Sequence, residues 1–173
     1  MHRVELVERK GVLTAALSYT YDKELKQGVL DSRGWLGRKV LTSKDFARVL
    51  DDRYARWKVE VFRLLLLDAG KRVLGKVNIK RGGKNNVSFY HEQALRPAVE
   101  AGARYAVFSH NHPGGEMGIS DEDICLTKEL CATFEEAGVH VLDHIIMTPN
   151  GKYVSFKDWD MMPTEFKTIG GLD

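Results

Sequence analysis

Ser109-His110-Asn111-His112-Pro113-Gly114-Gly115, followed after four residues by Ser120-Asp121-Glu122-Asp123, decides how this chain is read. A short apolar strand, Tyr105 to Ser109, runs into a segment that Pro113 and two glycines bar from continuing as regular structure. Ser120 then opens a helix, which ends at Gly138, a natural residue to follow a helix C-terminus. Val139 to Thr148 reads as the next strand, Pro149-Asn150-Gly151 as a turn, and Tyr153 to Phe156 as a returning strand.

Working outward, Val59 to Asp68 reads as a buried strand, apolar on both faces except for Glu60 and Arg63. Arg72 to Lys80 reads as its neighbour, with Val73, Val77 and Ile79 on one face. Residues 91–103 read as a helix limited or kinked by Pro97. Thr42 or Ser43 can cap an earlier helix, with Asp45 in its first turn and Phe46, Val49, Leu50 and Trp57 on one face. Residues 3–20 can form an edge hairpin around Lys10-Gly11, residues 21–41 read as a glycine-punctuated loop, and the last dozen residues as a loose tail. Strands and helices in mixed order predict an α/β or α+β domain, a sheet flanked by helices.

The same central stretch carries chemistry. In an extended segment, side chains two apart point the same way, so His110 and His112 can face one point past a strand end. Asp123, in the first turn of the next helix, can reach that point. Two imidazoles and a carboxylate make a three-ligand zinc site that leaves the fourth position to water, the open form of a catalytic site. Such zinc lowers the pKa of bound water to about 7 and polarises a carbonyl. Glu60, a carboxylate in an apolar strand, is the candidate general base and then acid toward a leaving amine. The Ser120 hydroxyl can donate to a tetrahedral oxyanion.

Each residue also has a plainer reading. His-x-His pairs occur by chance. Ser120-x-x-Asp123 is equally a helix capping box. Glu60 can pair with Arg63 or Lys58. The joint occurrence, with a loop where the ligands need one, favours the metal reading.

His-x-His-Pro, six further residues, then Ser-x-x-Asp, with an upstream Glu in a strand, resembles the signature of the JAB/MPN metalloproteases, the JAMM motif. The wording around His110 resembles the bacterial RadC-like branch, whose members read His-Asn-His-Pro-Ser-Gly. Glu60-Val61-Phe62 leading into Leu65-Leu66-Leu67-Asp68, the helix from Glu92 to Ala101, and Leu142-Asp143-His144-Ile145-Ile146 extend the likeness over residues 42–160. That leaves residues 1–41 as an arm and 161–173 as a tail. The resemblance implies an α/β, cytidine-deaminase-like mixed sheet flanked by helices. It implies Zn2+ held by His110, His112 and Asp123, with Glu60 as base and Ser120 at the oxyanion. It departs from the branch at Gly114, where Ser is usual, and at Arg81-Gly82-Gly83-Lys84, where the usual strand-turn reads Gly-Thr. Forty-one residues leave no place for the helix-hairpin-helix segment that precedes the domain in full-length RadC proteins.

The expected activity is zinc-dependent hydrolysis of a peptide or amide bond, with a peptide or protein substrate that includes the ubiquitin-like conjugates. Two alternatives stand beside it: an accessory factor in DNA repair or recombination, and a metal-free MPN interaction module. The six basic residues between Lys71 and Lys84 offer a phosphate backbone a docking face, or form a solvated strand face. His140-Val141-Leu142-Asp143-His144 imitates a helical zinc-peptidase motif, but in a strand its histidines lie about 13 Å apart. His144 is expected in the core or behind the ligands, with Asp143 able to orient a ligand histidine. His91 is expected at the surface, Cys131 in the core with Leu130 and Phe134, and Cys125 buried on its helix rather than at the metal.

Composition agrees with this picture. The chain has 173 residues, 43% hydrophobic and 29% charged, with net charge +2. Those values exclude collagen-like, low-complexity and wholly disordered classes. Its two cysteines, six residues apart on one helix, are too far apart for a disulfide. The N-terminus carries no apolar signal region and the longest apolar run, Leu64 to Leu67, cannot span a bilayer. A reduced, cytoplasmic protein is the expectation.

Overall fold

A computed structural model describes residues 3–9, 12–18, 28–30, 34–51, 54–79 and 87–163. Six strands form one sheet: β3 (Gly28–Leu30), β4 (Phe62–Leu67), β5 (Val73–Ile79), β6 (Tyr105–Asn111), β7 (His140–Met147) and β8 (Tyr153–Ser155). Their spatial order is β3-β5-β4-β6-β7-β8. All neighbours are antiparallel except β6 and β7, which run parallel and are joined by a helical crossover. β1 (Arg3–Arg9) and β2 (Val12–Ser18) form a separate antiparallel hairpin.

Three helices cover the sheet: α1 (Ser43–Leu50) on one face, α2 (Val87–Glu100) and α3 (Asp121–Glu136) on the other. α1 is amphipathic, burying Phe46, Ala47, Val49 and Leu50 against Leu65, Leu67, Val73 and Val107. Thr42 accepts the Asp45 amide and Asp45 accepts the Thr42 amide, a capping box that fixes where the helix begins. On the opposite face, Ala94 and Ala98 of α2 and Leu130, Cys131 and Phe134 of α3 pack on Phe62, Leu64, Leu66 and Phe108. The small alanines let α2 lie close to the sheet. This is the mixed sheet flanked by helices that the sequence predicts.

Several local expectations need correction. The stretch 21–41 is not all loop. Gly28–Leu30 pairs with β5, Val40 is buried, and Lys39 bridges Arg72. Three residues are too few to show a period of two, and the free edge of β5 supplies the pairing. Val73 does not share a face with Val77 and Ile79. The register slips between Leu66 and Leu67, at Gly75, so Val73 turns to the α1 side and Leu74 to the α3 side. Trp57 is not on α1, which ends at Leu50; it follows a 3₁₀ turn at Tyr54–Arg56 and is partly exposed. β6 runs two residues further than expected and carries His110 and Asn111 within the sheet. α2 begins four residues early and holds Pro97 inside it.

Candidate metal centre

His110 lies in β6 opposite Phe62, on the sheet face covered by α3. His112 follows just beyond the strand end, where its amide still bonds Met147 of β7 at 2.9 Å. The chain then turns back through Gly115, which takes φ +84° and donates its N–H to the His112 carbonyl. That turn delivers Ser120 to the start of α3 and Asp123 to its first turn. His110 Nε2 and His112 Nε2 are 2.9 Å apart. Asp123 oxygens stand 3.5 Å from the first and 3.8 Å from the second. The structure thus brings together the three residues proposed as ligands.

Hydrogen-bond bookkeeping fixes which nitrogens carry protons. The Asp123 carbonyl can only accept, so Thr127 Oγ, 2.6 Å away, donates to it. Thr127 Oγ must then accept from His144 Nδ1, also at 2.6 Å. His144 is fully buried, stacked on Phe156 and edge-on to Phe62 and Phe108. Burial, reinforced by His110, holds its pKa well below the usual value, so it stays neutral. With Nδ1 protonated, His144 Nε2 accepts from His110 Nδ1 at 2.7 Å. His110 therefore turns a bare Nε2 lone pair into the site. His112 does the same, because its Nδ1 donates to the Glu116 carbonyl at 2.7 Å. Two bare nitrogens at 2.9 Å repel each other unless a cation or proton lies between them, and a carboxylate completes the donor set. These residues fit a divalent metal.

Asp123 is only 6% exposed. Burial by itself pushes its pKa upward, but a proton or cation held at the His110 nitrogen, with bonds from Ser120, holds the carboxyl well below the usual range. It is an anion at any ordinary pH.

Ser120 is the cap of α3. Its hydroxyl accepts the Asp123 amide at 3.1 Å and its own amide donates to Asp123 Oδ2 at 3.3 Å. The capping reading therefore holds, and because the hydroxyl accepts in that bond it keeps its own proton to donate. Glu60 lies two residues ahead of β4 and is exposed, so it is not the charge buried in a strand that the sequence suggests. The β4–β6 ladder ends at Phe62–His110, two residues short of Glu60, so Glu60 extends from the end of the strand beside the one that carries His110. Asn111 holds its flanks by accepting the Val61 amide at 2.7 Å and donating to the Val59 carbonyl at 3.0 Å.

Other sequence expectations divide. His144 does stand in the core behind His110. Asp143 does not orient a histidine ring. Its carboxylate takes the main-chain amides of His144 and Lys157 and the Ser155 hydroxyl, tying β7 to β8. Strand alternation explains this, since His144 turns to α3 and its neighbour cannot. His140 is at the exposed start of β7 beside Glu135, far along the strand from His144, so the helical peptidase pattern is absent there. Cys131 is buried with Leu130 and Phe134, whereas Cys125 is exposed and apart from the metal cluster. His91 is largely covered, 3.5 Å from Glu129. Lys76 is buried, with Nζ donating to the Val49 carbonyl at 2.7 Å, so it belongs to no solvated face, whereas Lys71 is half-buried and Arg72 exposed; Lys80, Arg81 and Lys84 lie outside the described residues. At Gly114 only the far end of the exposed Glu116 side chain lies where a Cβ would project, so nothing in the structure explains glycine rather than serine there.

Thr127 and Asn111 are the residues that sequence reasoning passes over. Thr127 is one helical turn after Asp123 and so shares its face. Asn111 reads as a spacer between two histidines.

Among the described residues no helix is long and apolar enough to cross a membrane. A family model for the RadC-like JAB domain matches residues 40–161. A protein named UPF0758 from Clostridium perfringens is 31% identical over 124 residues, covering 72% of this chain and 54% of its own length. One from Trichlorobacter lovleyi is 39% identical over 97 residues, 56% of this chain and 42% of its own. One from Marinobacter nauticus is 29% identical over 161 residues, 92% and 71%. The chain spans about half the length of several of these relatives.

Proposed function

This chain belongs to the RadC-like JAB domain family, and on that footing we propose that it is a zinc-dependent hydrolase of peptide or isopeptide bonds. The observation that supports the reading is the convergence of two bare imidazole nitrogens and an anionic carboxylate at a strand end. His110, His112 and Asp123 would hold the zinc, and three protein ligands leave a position for water. Bound zinc would lower the pKa of that water to about 7 and polarise the substrate carbonyl.

The chain's own residues supply the rest. A Glu60 carboxylate oxygen takes the proton of the attacking water and delivers it to the leaving nitrogen. The Ser120 hydroxyl donates to the oxygen that becomes negative in the tetrahedral state, while its lone pair stays on the Asp123 amide. His144 stays neutral and keeps the His110 ring turned toward the ligand point. The substrate class proposed is a peptide or protein amide, ubiquitin-like conjugates included, met in the cytoplasm. The complete donor set favours this over a metal-free interaction module. A role on DNA draws less support, since Lys76 is unavailable to a phosphate.

The test is Glu60→Gln, assayed on a peptide and isopeptide library with zinc content measured alongside. The variant should keep its zinc and lose hydrolysis. Parent-level activity in the variant would remove Glu60 from the role of base.

A further inference from the structure

The β4–β6 ladder ends at the pair Phe62–His110, whereas β6 stays paired with β7 one residue further, to Asn111–Met147. β4 and β6 therefore part at residue 61, beside the ligands. The Asn111 carboxamide, fully buried, fills the parting. Its Oδ1 accepts the Val61 amide at 2.7 Å, and its Nδ2 donates to the Val59 carbonyl at 3.0 Å and the Trp57 carbonyl at 3.4 Å. A carboxamide offers the same C=O and N–H as a peptide unit, so residues 59–61 bond to a side chain as they would to a strand. Those bonds fall on either side of Glu60.

The far end of the segment is tied as well. Arg63, fully buried, sets its guanidinium 5.8 Å from the Trp57 ring centre and donates to Asn78 at 2.8 Å and the Leu50 carbonyl at 3.1 Å. The main chain at Glu60 is thus held on both sides, while its carboxylate reaches solvent.

We infer that Asn111 is a positioning residue for Glu60: it splices residues 59–61 onto the ligand strand and sets the height of the carboxylate over the metal point. Its consequence for turnover rests on the hydrolase reading; its grip on the segment does not. A side chain that fixes a general base matters because a misplacement of about 1 Å can cost roughly 10²-fold in rate.

The experiment uses the full chain loaded with zinc. It compares wild type with Asn111→Ala, Asn111→Asp, Glu60→Gln and the Asn111→Ala/Glu60→Gln double variant. Three quantities are read: zinc per chain, amide hydrogen exchange at Val61 by NMR, and turnover of a quenched-fluorescent peptide library. Asn111→Ala should bind zinc as wild type does, and its Val61 amide should exchange roughly 10-fold faster. Its kcat should fall roughly 10²-fold with KM unchanged. The double variant should be no slower than Glu60→Gln alone, because the two residues act as one unit. Asn111→Asp keeps the oxygen that takes the Val61 amide, so it should keep that protection, and it carries the test if the alanine variant does not fold. Unchanged Val61 exchange in Asn111→Ala, loss of its zinc, or additive losses in the double variant would each overturn the assignment. A wild type that cleaves nothing would sink the hydrolase reading, while Val61 exchange would still decide whether Asn111 holds the segment.

Discussion

His144 Nε2 lies 2.7 Å from His110 Nδ1, and the direction of that bond is set at the other side of the imidazole, where Thr127 Oγ meets His144 Nδ1 at 2.6 Å. A helix carbonyl thereby fixes the tautomer of a proposed ligand three hydrogen bonds away. The order runs Asp123 carbonyl, Thr127 hydroxyl, His144 ring, His110 ring. It starts and ends on residues of the same site.

Replacing Thr127 by valine keeps the volume but removes the hydroxyl. The His144 Nδ1–H and the Asp123 carbonyl each lose a partner in a buried place. We expect a stability loss of about 1–3 kcal/mol in a urea melt. Metal affinity should fall roughly 10–100-fold in competition with a chromophoric chelator, as when outer-shell partners are lost. Unaltered affinity would mean that the relay does not hold the ligand.

The buried neutral state of His144 also predicts a pH dependence. Its folded pKa lies well below the ordinary 6.5, chiefly through burial. Below pH 6.5 the unfolded chain therefore binds a proton that the folded chain refuses. Stability contributed by the neutral ring is present above pH 6.5 and declines as pH falls, by up to about 1.4 kcal/mol per unit. Asp123, whose folded pKa is depressed below 3.8, adds a further loss at the acid end of the range. Urea melts in a chelating buffer between pH 7.5 and 5 should show the first slope, and His144→Gln should flatten it.

Ser120 serves as a helix cap and is proposed as an oxyanion donor, and two substitutions separate the roles. Ser120→Ala should cost about 1 kcal/mol of stability through the lost cap. Ser120→Gly should cost only a few tenths, since glycine is tolerated at that position. Both should lower kcat by roughly 10²-fold if the hydroxyl meets the oxyanion. A glycine variant as fast as the parent would leave Ser120 with capping alone.

The sheet, its helices and the ligand cluster were legible because each rests on local signals. Apolar runs mark β4 and β7, Thr42 and Ser120 mark helix starts, and His110 and His112 share a face by the alternation of a strand. What escaped depends on pairing. Gly28–Leu30 becomes a strand because β5 has a free edge, and Val73 changes face because the ladder slips at Gly75. Glu60 looks buried in sequence because Val59 and Val61 flank it, yet the ladder has already ended there. Asn111 and Asp143 lie beside His110, His112 and His144 in the chain, and alternation sends both side chains to other duties. Thr127 makes sense only once His144 is known to lie beneath α3.

The most direct test is metal content by mass spectrometry on untagged protein, wild type beside His112→Ala. We predict about one zinc per wild-type chain, as an open three-ligand site would hold, and its loss in the variant. Wild type without zinc even after reconstitution, or a variant that keeps its metal, would contradict the account.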